Sequence, residues 1–228
     1  MISDQAGHEL PTPNPKATHD AGVAAEAGSA GVARTEAFSD GVFAIAITLL
    51  ILEIRVPPQD AARAAGLWRA LGEHWSSYGA YVLSFAIIGI MWANHHNIFR
   101  YIDRVNHVFL MLNMALLLCV AFLPFPTAVL AAYLPSPGER TAATAFYGGV
   151  LTLAGVIYNM LWRYAAAGRR LLRRSADQQL VDAITREFSL GPVLYAVATL
   201  LAFLNVWLSL AIHALLALIY VVPNRARP

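Results

Sequence analysis

Ser39 and Asp40 stand directly before one apolar run, and His95 and His96 close another. Nucleophilic, acidic and basic side chains thus sit at the edges of two hydrophobic segments. Three chemistries use such groups. Ser39 with His95 would supply a nucleophile and a general base for hydrolysis. Asp40 with His95 would form an intramembrane proton relay for a coupled or small-solute transporter, because ionisable groups at membrane depth are costly and mark pathways. Histidines with carboxylates would bind a metal. Two of the three are poorly supported by their surroundings. Ser39 lacks a GxSxG elbow. Adjacent histidines on a helix project about 100° apart and do not readily share an ion. The nearby carboxylates, Asp40 and Glu53, fall at opposite ends of the first apolar segment, and no HExxH or DxD pattern occurs. No metal, no cofactor and no enzymatic activity are therefore expected. The economical alternative is structural: Arg34, Ser39 and Asp40 exchange hydrogen bonds with Trp92, His95 or His96, and Asn113, locking three helices together.

The elements that carry these residues must lie in a membrane. The chain has 228 residues, of which 58% are hydrophobic and 13% charged, with a formal net charge of +2 and a mean hydropathy of +0.54. Such a balance excludes an ordinary soluble domain and gives no basic stripe for nucleic acid. The one cysteine, Cys119, lies in an apolar run and allows no intrachain disulfide. Residues 1–33 are rich in Pro, Gly, Ala, Asp and Glu without periodicity, and they lack the basic start and apolar block of a signal peptide. They are expected to form a disordered cytoplasmic tail.

Hydropathy divides residues 34–222 into six spans of an all-α membrane domain, and residues 223–228 into a short cytoplasmic tail. The first span covers 34–56 and ends at Pro57-Pro58. Residues 59–73, with Leu67, Trp68 and Leu71 on one face, read as an interfacial helix. The second span covers 78–97. The third runs from 107 to 124, where Pro124 and Pro126 kink or break it before a further apolar tail. The fourth covers 142–162. The long apolar stretch 188–222 is two short spans of about 17 residues, turning near 203–207. Arg100 and Arg104, the connection holding Arg163, Arg169, Arg170, Arg173, Arg174 and Arg186, the terminal Arg225 and Arg227, and Arg34 then fall on one side. By the positive-inside rule that side is cytoplasmic, as are both termini.

On the first span, Ile45, Leu49 and Leu52 recur at i, i+4 and i+7 and form a narrow aliphatic stripe. Spacing alone makes this a packing face.

The motif RxxxFSD followed by GVFAIAITLLILEI, the WxxHH that ends the second span, and NxxLLLCVAFLPFPT in the third together resemble the prokaryotic members of the transmembrane protein 175 family of potassium-selective channels. The likeness covers spans one to three; spans four to six agree in length and hydrophobicity. The resemblance implies a multi-pass plasma-membrane homotetramer in which the first helix of each subunit lines a central potassium pathway. It places hydrophobic constrictions at Ile45, Leu49 and Leu52, with Thr48 beside them. It assigns Arg34, Phe38, Ser39, Asp40, Trp92 and His95 to a network that orients the helices. No TVGYG filter is present. Glu53 would draw cations to the outer mouth or pair with Arg55.

Overall fold

The computed structural model describes residues 15–221. Residues 1–14 and the expected tail 223–228 lie outside the described residues. All the named elements are helical: α1 (Pro15–Leu49), α2 (Gln59–Ala65), α3 (Leu67–Gly72), α4 (Trp75–Phe99), α5 (His107–Phe122), α6 (Pro124–Tyr133), α7 (Arg140–Ala166), α8 (Gln178–Leu200) and α9 (Val206–Val221).

Helix α1 begins at Pro15, so residues 15–33 are helical where the sequence pattern suggested a disordered tail. The many alanines of this stretch favour helix, and Pro15 at its first position costs nothing, since that N–H would be unpaired anyway. The helix tightens into a 3-10 turn over Leu50–Glu53, and Ile54 is extended. The expected single interfacial helix is two. Gly66 takes φ 86°, a conformation that breaks α2 from α3.

Helices α5 and α6 are one apolar unit, His107–Tyr133, interrupted at Leu123, which keeps right-handed helical angles. Pro124 and Pro126 cannot donate to the carbonyls one turn earlier. Side chains supply polar contacts nearby. Thr127 Oγ1 donates to the Leu123 carbonyl at 2.8 Å, and Ser76 Oγ of α4 donates to the Ala131 carbonyl at 2.7 Å. Ser84, also on α4, lies 2.8 Å from Thr127 Oγ1 and 3.0 Å from the Tyr147 hydroxyl on α7.

The arginine-rich connection is ordered. Gly168 and Arg169 both take positive φ, and Arg169 is fixed there by donating to Gln178 Oε1 and to the Ala176 carbonyl at 2.9 and 2.6 Å. The connection then pairs with the loop after α4 through an antiparallel bridge between Ile102 and Leu172. Asp103 N donates to the Leu171 carbonyl at 2.8 Å and Arg173 N to the Tyr101 carbonyl at 2.9 Å. Helix α8 starts at Asp177, whose carboxylate caps Gln179 N, rather than near Phe188. Asn205 accepts from Trp207 N and Leu208 N, and so starts α9 where a turn was expected.

Among the described residues five helical segments are long and apolar enough to cross a membrane: Gly28–Glu53, Trp75–Phe99, His107–Tyr133, Arg140–Arg169 and Gln178–Phe203; Val206–Ile219 is apolar and shorter. Their contacts form two cores. One surrounds Phe43, Ile87, Leu117 and Tyr147. The other surrounds Phe99, Phe109, Trp162 and Leu172, under the bridged loops.

Helices α7 and α8 approach closely at Gly148. A Cβ there would overlap Thr199 Oγ1 and stand 3.1 Å from His213 Nε2. Thr199 is held in place, donating to the Tyr195 carbonyl at 2.7 Å and lying 3.2 Å from Thr152 Oγ1. Gly148→Ala should therefore lower stability by about 1–3 kcal/mol through overpacking. Thermal unfolding in detergent checks this, and adding Thr199→Ala to Gly148→Ala should recover most of the loss.

Candidate functional site

Helix α1 has two faces. Val32, Ser39, Phe43, Ala46 and Leu50 recur three, four or seven residues apart and are buried against α4, α5 and α6. The opposite face carries Arg34, Phe38, Gly41, Ile45, Thr48 and Leu52, again at steps of three and four, and all are exposed in the single protomer. Ile45 is 61% exposed, Leu49 40% and Leu52 69%, against 1% for Phe43. Thr48 turns its hydroxyl back to the Ile45 carbonyl at 2.8 Å, leaving its methyl to the stripe. An isolated chain therefore presents a row of aliphatic side chains with nothing packed upon it. Gly41 extends that row; a Cβ there would have no neighbour within 4 Å.

Behind the stripe lies a buried polar chain. His95, fully buried on α4, has Nε2 2.9 Å from Asn113 Oδ1 on α5. Asn113 Nδ2 donates to Ser39 Oγ of α1 at 3.0 Å, and Ser39 donates to the Thr35 carbonyl at 2.8 Å. With Asn113 Oδ1 able only to accept, His95 Nε2 carries the proton. Phe43 and Phe99 hold the ring, with centroids at 5.4 and 4.4 Å. Nearer the surface, Trp92 Nε1 donates to Asp40 Oδ1 at 2.9 Å, and His96 Nδ1 lies 2.8 Å from Glu36 Oε1.

The structure thus brings Ser39, Asp40, Trp92, His95, His96 and Asn113 to one junction of α1, α4 and α5. Both histidines address α1, His95 through Asn113 and His96 through Glu36. Arg34 and Phe38, expected in the same junction, point the other way: they share the exposed face, and no hydrogen bond or ion pair joins Arg34 to another described residue. Glu36 was missed, hidden in a spacer position of RxxxFSD; its place one turn before Asp40 was the available signal. Glu53 and Arg55 do not form an ion pair.

The geometry restricts the chemistry. Asn113 stands between Ser39 and His95, and the Ser39 hydroxyl gives its proton to a backbone carbonyl, so no nucleophile and base are coupled. Asp40 is bonded to Trp92 and makes no hydrogen bond to His95. Among the described residues no group of three or more His, Cys, Asp or Glu side chains is placed to hold a metal ion.

A family model described as "Endosomal/lysosomal potassium channel TMEM175" matches residues 34–124, the segment from Arg34 to the first proline of α6. A potassium channel of Chamaesiphon minutus is 48% identical over 193 residues, which are 85% of this chain and 95% of that protein. The chain belongs to the TMEM175 family. Beyond the matched segment, TMEM175 likeness continues in three dimensions: the crystal structure of a lysosomal potassium-selective channel TMEM175 homologue from Chamaesiphon minutus aligns with a TM-score of 0.77 and 45% identity, covering 83% of this chain and 96% of that one. A potassium channel of Streptomyces collinus is 46% identical over 187 residues, 82% of this chain and 90% of that protein.

Asn113→Leu should cost about 1–3 kcal/mol, because it orphans the buried His95 N–H and removes the donor to Ser39. Trp92→Phe, which breaks a bond at a half-exposed site, should cost less. Thermal unfolding of both variants in the same detergent gives the order; the reverse order would deny the buried chain its place as the principal tie.

Proposed function

We propose that this chain is a potassium-selective channel whose pore is lined by the first helix of four identical subunits. The observation that carries this reading is the uncovered aliphatic face of α1, Ile45, Leu49 and Leu52, on a helix whose opposite face is fully packed. A single copy of a self-associating face per chain is satisfied by closed rotational symmetry, with the stripe turned to the axis. The bacterial relatives, which are named potassium channels, supply the ion. In this reading α9 is the sixth span, the arginine-rich loops and both termini are cytoplasmic, and the protein sits in the plasma membrane.

Aliphatic rings offer a cation no oxygen to replace its water. The ion passes hydrated or partly hydrated, and the constriction closes by dewetting. Selectivity then favours the ion that sheds water more readily, which yields a weak to moderate preference for potassium over sodium. The Ser39–Asn113–His95 chain and the Asp40–Trp92 bond set the rotation of α1, and Thr48 lies beside the constriction. The geometry does not favour a proton-coupled or small-solute transporter built on Asp40 and His95, since each is bonded to a different neighbour.

Planar-bilayer recordings of the purified protein under a potassium/sodium gradient test the proposal. A potassium-biased reversal potential is expected. It should move toward zero, with higher conductance, in Ile45→Asn and Leu49→Ala. Absence of current from a verified tetramer would overturn the channel, and unchanged permeation in both variants would move the pore off this stripe.

A further inference from the structure

The apolar segments that end at Phe99 and Arg169 are followed by segments that begin at His107 and Gln178. The two connections between them are short, and the antiparallel bridge between Ile102 and Leu172 ties one to the other. Ile102, Leu171 and Leu172 are buried in the second core, which holds both connections down on the helix ends. Chain fixed in this way stays at the level where the apolar segments stop, and in a bilayer that level is the headgroup layer.

Over residues 100–106 and 169–177 the chain carries six arginines, Arg100, Arg104, Arg169, Arg170, Arg173 and Arg174, against two aspartates, Asp103 and Asp177. Asp177 is committed to capping α8. The ion pairs of the described residues are Arg69 with Glu73 and His96 with Glu36, so none of the six arginines is paired with a carboxylate.

The six divide by what they touch. Arg104 donates twice to the Arg170 carbonyl, at 3.3 and 3.2 Å, and Arg173 Nε donates to the Ile102 carbonyl at 3.3 Å. Arg169 holds Gln178 and the Ala176 carbonyl. These three build the cap from within. Arg100, Arg170 and Arg174 are exposed, and their side chains form no hydrogen bond or ion pair with a described residue. Arg170 Cζ lies 5.3 Å from the centroid of the half-buried Tyr164 ring, a contact that holds the guanidinium against the end of α7 and leaves its N–H groups free. Three unpaired guanidiniums on a rigid support repel one another unless anions lie beside them. Four to eight basic residues immediately beyond a membrane span are the composition that recognises anionic lipid, and the guanidinium fork matches phosphate oxygens.

We propose that this arginine cap binds the phosphate groups of anionic phospholipids in the adjoining leaflet, with Arg100, Arg170 and Arg174 as the contacts and Arg104, Arg169 and Arg173 as their scaffold. In the orientation proposed above, that leaflet is the cytoplasmic one. A membrane supplies phosphates along the whole edge of the cap, at the level the helix ends fix, whereas a free anion must be captured from solution. The surface is separate from the exposed stripe of α1 and does not depend on what passes along it.

Thermal unfolding of the intact, delipidated protein in detergent, titrated with dioleoyl phosphatidylglycerol, dioleoyl phosphatidylcholine or inorganic phosphate, tests the surface. Phosphatidylglycerol should raise the melting temperature more than phosphatidylcholine does, and the difference should shrink in about 1 M potassium chloride, where charges are screened beyond about 3 Å. Each of Arg100→Gln, Arg170→Gln and Arg174→Gln should raise the phosphatidylglycerol concentration that gives half the effect about fivefold. Arg100→Gln and Arg174→Gln remove no bond within the protein, so their lipid-free melting temperatures should match the parent. Arg55→Gln and Arg63→Gln, which lie beyond the other end of α1, should leave the titration where it was. An unchanged titration in all three cap variants would overturn the proposal, as would an equal effect of the Arg55 and Arg63 changes. A rise with inorganic phosphate as large as with phosphatidylglycerol would overturn it too, and make the cap a site for a free anion.

Discussion

The rotation of α1 about its own axis is fixed from behind, and the rest of the molecule's design follows from that constraint. Turning the helix by one residue would swing its side chains through about 100° and exchange the stripe for a different set. Shape alone resists this weakly, because Phe43, Ala46 and Leu50 are apolar residues among apolar neighbours, and lipid supplies no hydrophobic penalty for re-packing them. Ser39 is different. Its hydroxyl meets Asn113 at one angle only, and Asn113 is held by His95, so a turn of α1 would leave a buried donor without an acceptor. Asp40 on Trp92 and Glu36 on His96 repeat the restraint closer to the surface.

A second theme is the treatment of proline. Pro124, Pro126 and Pro192 all interrupt ladders in segments where water is not at hand. Around α6 the compensation comes from hydroxyls: Thr127, Ser84 and Ser76 form a file of short bonds from α4 to α6 and Tyr147. At Pro192 it comes from an amide, Asn159, reaching across from α7. Scattered small polar residues that look incidental in a hydropathy profile thus tie α4 to α6 and α7 to α8.

Much of this was legible in the sequence because it depends on period and composition. Ile45, Leu49 and Leu52 sit at helical spacing, and the break near Asn205 followed from an apolar stretch too long for one crossing. The Ser39, Asp40, Trp92, His95 and Asn113 cluster was legible as a set of polar residues that hydrocarbon would force together, yet the order of the bonds was not, since it depends on how α4 and α5 cross α1. Arg34 and Phe38, adjacent to Ser39 and Asp40 in the motif, lie on the other face of the helix, because their steps to Gly41 and Ile45 turn them away from that cluster. The helix from Pro15 was hidden by glycine and proline, although its alanines argued for it. The bridge between Ile102 and Leu172 joins loops far apart in sequence and carries no local signal.

The short 3-10 turn at the end of α1 alters the beat of the stripe. From Ile45 to Leu49 the helix climbs about 6 Å and drifts about 40° around its axis. From Leu49 to Leu52, across the tighter turn, three residues climb about 6 Å again, but with 3.0 residues per turn they return to the same bearing. The two leucines are therefore eclipsed, one above the other, at the same vertical interval that separates Leu49 from Ile45. An unbroken α-helix would have set Leu52 lower and rotated away, whereas this chain ends its stripe as a straight ladder with equal rungs.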